Sequence, residues 1–62
     1  MNHAQFIQAI QSIPGEDGFW TSSAESQYIS NGQILVDKGI SYEEAHSILS
    51  SLYWAAASCY GS

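Results

Sequence analysis

Sixty-two residues leave room for one domain, and 45% hydrophobic content with two Phe, two Trp and four Tyr argues for a folded core over disorder. Six acids against the single base Lys38 give a formal charge of −5, which argues against direct nucleic-acid binding and against attraction to an anionic membrane, since both need Lys and Arg. Cys59 is the one cysteine, so an intrachain disulfide is excluded and a reducing, cytoplasmic setting is expected.

The first fifteen residues carry no basic run and no long apolar segment, so no signal peptide is expected there. Asn2 is placed to cap a first helix over about 2–12. At about 100° per residue, Phe6, Ile7, Ala9, Ile10 and Ile13 gather on one side and the glutamines on the other. Pro14 and Gly15 stop this helix, and the stretch to Gly18 reads as a turn. Phe19 and Trp20 follow, two adjacent aromatics expected to plug the end of a small core.

A second helix is expected over 22–38, with Ser22 as its cap and Glu25 completing a capping box. Ala24, Tyr28, Ile29, Leu35 and Val36 share one arc of it. Gly32 in the middle marks a close helix crossing or a kink, because glycine there costs about 1 kcal/mol against alanine. A competing reading makes Gln33 to Asp37 a short strand, since Ile34, Leu35 and Val36 favour extended structure. Gly39 is a natural residue to end the helix.

The third helix, over 42–59, has the strongest start signal: Ser41 as cap, with Glu44 completing a box and Glu43 beside it at the positive end of the dipole. Its apolar arc holds Ala45, Ile48, Leu49, Leu52, Ala55, Ala56 and Cys59, expected to face both other helices. Tyr42, Tyr53 and Tyr60 run along one rim beside His46. The opposite face carries Glu43, Glu44, Ser47, Ser50, Ser51 and Ser58, with Trp54 among them. Trp54 either folds over a neighbouring turn or anchors a partner, as tryptophan does at interface hot spots. The small serines around it would let another helix come close. Ile34 also lies off its helix's buried face, although single exposed isoleucines are common. The expected product is an all-α, compact three-helix domain assembled as a homo-oligomer. Its interface candidates are Trp54, Tyr53, Tyr60, Ile34, Ser47, Ser50 and Ser51.

No catalytic, cofactor or metal site is expected. His3, His46 and Cys59 lack paired ligand spacing. His46 and Cys59 stand thirteen residues apart on one helix, about 20 Å at 1.5 Å per residue. Glu16 with Asp17, and Glu43 with Glu44, are neighbours in sequence and do not face each other across a cleft. The longest apolar stretch, Leu52 to Ala57, is far too short to span a bilayer.

The run Leu35-Val36-Asp37-Lys38-Gly39-Ile40-Ser41-Tyr42-Glu43-Glu44-Ala45, with Leu52-Tyr53-Trp54-Ala55-Ala56 after it, resembles the C-terminal parts of small, mostly uncharacterised bacteriophage accessory proteins. The resemblance covers about half the chain and transfers no functional residue. It implies a phage accessory protein in the bacterial cytoplasm, an inhibitor of a host or defence protein. Three functions are therefore expected in order. The first is a small, acidic, non-enzymatic module that binds its own copies and another protein. The second is an oligomeric protein sequestering a small molecule or nucleotide, with Trp20, Tyr28, Tyr53 and Trp54 stacking on a planar base. The third is a helix-turn-helix regulator, against which the charge argues.

Overall fold

The computed structural model describes the backbone of residues 1–16 and 18–61 and the side chains of residues 1–16 and 18–58. Three helices follow in order: α1 (His3–Gln11), α2 (Ser22–Asp37) and α3 (Tyr42–Gly61), each packed on the other two. Among the described residues there is no strand. The extended alternative for Gln33 to Asp37 is thereby settled in favour of helix.

The ends of the helices are closed by short-range chemistry. Asn2 Oδ1 accepts from Gln5 N–H at 2.8 Å, and Asn2 N–H donates to Gln5 Oε1 at 3.0 Å, a reciprocal box. At α2 the cap is Thr21, not Ser22: Thr21 Oγ1 accepts from Ala24 N–H at 3.1 Å. The reason is backbone shape, because Thr21 has the extended conformation a cap needs and Ser22 is already helical. α2 ends in a Schellman motif. Gly39 N–H donates to the Val36 carbonyl and Ile40 N–H to the Leu35 carbonyl. Gly39 adopts φ +99°, which only glycine takes without strain. Ser41 Oγ then accepts from Glu44 N–H at 3.2 Å and opens α3.

Phe6, Ile10, Ile13, Ala45 and Leu49 form the buried core. Trp20, Tyr28, Ile29, Leu35, Val36, Ile40, Tyr42 and Tyr53 pack around it half-buried. Phe6 lies under Tyr42, ring centroids 4.9 Å apart. Gly32 is the one buried residue of α2. A Cβ built there would stand 2.9 Å from both Phe6 Cζ and Ile10 Cδ1. The glycine therefore marks a close crossing of α1 over α2.

The buried line of α3 departs from expectation. Tyr42, Ala45, Leu49 and Tyr53 face the other helices, while Ile48, Leu52, Ala55 and Ala56 are exposed. By helical periodicity this is a rotation of about a quarter turn. Two physical causes act together. The tyrosines bring large faces that pack on Phe6 and Trp20, which aliphatic residues cannot match in area. α3 is also too long to be wrapped: its 20 residues run about 30 Å, against about 14 Å for the 9 of α1.

At the first residue, the Met1 ammonium pairs with Glu43 Oε1 at 2.9 Å on the surface. The hydrogen bond from that ammonium holds the Glu43 carboxyl below its usual range, helped by a backbone hydrogen bond and the ammonium's charge. A lowered carboxyl stabilises the fold above its unfolded-state pKa and loses that contribution as pH falls through the lowered value.

Gly32→Ala tests the crossing. Overpacking costs about 1–3 kcal/mol against about 1 kcal/mol gained in helix propensity, so a net loss of about 1 kcal/mol is expected. Thermal unfolding should show it as a midpoint lower by about 5 °C. A raised midpoint would contradict the close approach.

Candidate functional site: the outer face of the third helix

Among the described residues, one strip of α3 stays exposed to solvent. Ile48 is 37% exposed and Leu52 57%, and Ala55 is exposed beside them. Glu44, Ser47, Ile48, Ser51, Leu52 and Ala55 line a shallow, open trough. All six belong to one helix, so the trough is the groove between that helix's own side-chain rows. Positions four apart form each row. Ser47, Ser51 and Ala55 are the floor, a row of small side chains. Glu44, Ile48 and Leu52 are one bank. By the same geometry Ser50, Trp54 and Ser58 are the other.

Trp54 is 41% exposed and stands edge-on to Tyr53, centroids 5.1 Å apart. One side of the indole is thus held by a neighbouring ring while much of the side chain stays in solvent. Ser47 and Ser51 are exposed on the floor, and Ser50 is half-buried. Ile34 is 51% exposed on α2 and lines no part of the trough. Tyr60 lies outside the described side chains, as does Cys59. Ile48, Leu52 and Ala55, expected to face the other helices, are instead the apolar part of the surface. The signal for them is present in the chain: no Asp, Glu, Lys or Arg occurs after Glu44. Beyond its first turn the helix has no such charge to mark which side is buried.

Tyr53 has a different part. Its ring packs with Trp20 (5.5 Å), Tyr28 (6.4 Å) and Trp54 (5.1 Å) at steep angles, and Trp20 meets Tyr28 at 5.0 Å. These rings cover one another edge to face. The Tyr53 hydroxyl accepts from Phe19 N–H at 3.0 Å and donates to the Phe19 carbonyl at 3.1 Å. A Cβ at Gly18 would stand 2.7 Å from the same hydroxyl and 2.5 Å from the Pro14 carbonyl. The loop backbone is thus drawn down onto α3. Its consequence is that Trp20 alone enters the cluster, and Phe19, expected to plug the core, points outward with 83% exposure.

Among the described residues no group of three His, Cys, Asp or Glu is placed to hold a metal. No described helix is long and apolar enough to cross a membrane. Comparison with known protein families, curated proteins and solved structures finds no match.

Two substitutions separate the roles of the loop aromatics. Phe19→Ala should leave stability within about 0.5 kcal/mol of wild type, whereas Phe6→Ala should cost about 3 kcal/mol or more. Tyr53→Phe keeps the ring and removes both hydrogen bonds, so a loss of about 1–2 kcal/mol is expected. Urea unfolding measures all three. A Tyr53→Phe midpoint equal to wild type would show that the hydroxyl does not hold the loop.

Proposed function

We propose that this chain is a small, acidic, non-enzymatic protein-interaction module whose docking surface is the outer face of α3. The observation that carries the reading is the trough itself, with Ile48 and Leu52 uncovered on a rigid three-turn strip. Single exposed apolar residues are ordinary. A contiguous strip with a small-residue floor and apolar banks is the shape that receives a ridge of another helix. A neighbouring helix supplied by a copy of the chain or by a different protein meets the same requirement.

The core supports the same conclusion from the other direction. Among the described residues five hydrophobic side chains are buried, and domains of this size are commonly helped by association. Burial of apolar area contributes about 25 cal/mol per Å². The strip is the place where that contribution is still to be gained.

Leu52→Glu puts a carboxylate in the centre of the strip without touching the core. A tagged wild-type chain should retain binding protein, its own untagged copy included, at least tenfold more than tagged Leu52→Glu. Far-UV circular dichroism should show both equally helical. Equal retention by the folded variant would remove the α3 face from consideration.

A further inference from the structure

The occupant of the strip can be named from its charge and its pattern, given the docking role proposed above. We infer that it is a second copy of this chain, paired antiparallel through α3 about a two-fold axis at Ser51.

Charge decides between a copy and a basic partner. All six acids lie at or before Glu44: Glu16, Asp17, Glu25, Asp37, Glu43 and Glu44. From Ala45 onward the helix has no charged side chain of either sign apart from the titratable His46, and His46 is absent from the trough lining. A partner bringing lysines or arginines to this strip would bury them against Ser, Ala, Ile and Leu, which is costly for an unpaired charge. The surface that fits is uncharged, with a small row beside a large one. The chain's own strip has that description.

Orientation follows from Glu44, the one acid in the trough lining. A parallel pair would set the two Glu44 carboxylates, and the Glu43 pair beside them, at the same end. An antiparallel pair about Ser51 moves the Glu44 residues about 21 Å apart along the axis at 1.5 Å per residue. That separation exceeds a Debye length of about 8–10 Å, so their repulsion is screened. Each Glu44 then stands at the level of a neutral residue, Ser58 of the second copy. Across the axis Ser51 meets its own equivalent and Ser47 meets Ala55, while Ile48 lies on the same bank as Leu52 of the second copy, about 3 Å off level, in both directions. This is the reciprocal pattern an isologous interface requires. The small floor residues let the two helix backbones approach, and Trp54 on the outer bank closes the side.

Size sets the strength. A standard interface takes about 800 Å² from each partner, about a fifth of the 4181 Å² this chain exposes. One face of one helix offers less than that, so the pair should exchange with monomer as concentration falls. Two chains of charge −5 repel outside the interface, and salt screens that repulsion. The dimer should therefore tighten as salt is raised. A complex with a basic partner should weaken.

The test uses the full chain in a Cys59→Ser background. Sedimentation equilibrium should give a monomer–dimer equilibrium that shifts toward dimer between low salt and 0.5 M NaCl. Leu52→Glu, or Ser51→Glu as a second variant, should leave a helical monomer. Under mild oxidation a mixture of Ser47→Cys and Ala55→Cys chains should form the mixed disulfide. Ser47→Cys alone should not cross-link, because its two copies stand about 12 Å apart along the axis, beyond disulfide reach. A self-linked Ser47→Cys dimer would mean parallel pairing and overturn the inference. So would a strict monomer at every salt. If that monomer still retains a different protein, and Leu52→Glu releases it, the docking role stands and the second copy is wrong. If Leu52→Glu changes neither mass nor retention, both fail.

Discussion

The contact on which the molecule turns is the crossing of α1 over α2, where Phe6 and Ile10 lie directly on Gly32. A nine-residue helix has few side chains with which to organise two longer ones. Phe6 does so by lying between a helix backbone on one side and the Tyr42 ring on the other. That placement dictates what α3 can offer. Ala45 is small enough to sit under α1 and Leu49 fills the next turn, and both are buried. Ile48 and Leu52 lie on the edge of that face farther from Tyr42 and Tyr53, and the packing leaves them exposed. The exposed strip is thus a consequence of how the core closes, and not a defect in one residue.

The opposite bank of the molecule is governed by rings. Trp20, Tyr28 and Tyr53 cover each other edge to face, an arrangement that favours the ring quadrupoles. Tyr53 adds a second effect, since its hydroxyl satisfies both backbone groups of Phe19. Buried or half-buried tyrosines need such partners, and the loop supplies them. The aromatic packing and the loop closure therefore reinforce one rotation of α3. The same rotation uncovers the aliphatic row. Two apolar sets competed for the interior of a small domain, and the set with more area and a hydrogen-bonding handle took it.

Features set by neighbouring residues were legible from the chain. Asn2, Ser41 and Gly39 act through atoms a few positions away, and three helices with their approximate limits follow from them. Thr21 and Ser22 offer the same hydroxyl one residue apart, so the cap of α2 was readable only to within a residue. The facing of α3 was not readable by counting aliphatics, because that count places tyrosines on a rim. The spacing of Tyr42, Leu49 and Tyr53 at seven and four is the pattern that does predict it. Phe19 was beyond reach, as its outward position depends on a hydroxyl 34 residues later in the chain. Ser47, Ser51 and Trp54 were recognised as lying off the core. Ile48, Leu52 and Ala55, which make the strip apolar, were hidden by their resemblance to core.

The distribution of charge gives the strip its meaning. If the acids served only to keep a small protein in solution, nothing would confine them to the part of the chain before Ala45. A charge on the 45–58 segment would cost little while that face stayed in water, and a great deal once it was covered. Of the residues that line the trough, Glu44 at one end carries the charge and the rest are neutral. Phe19 and Ile34 are exposed too, and neither lines the trough. Solvent exposure alone therefore does not single out the α3 face. What sets it apart is that its apolar residues stand in regular rows on the longest helix, with Glu44 as the charge at one end.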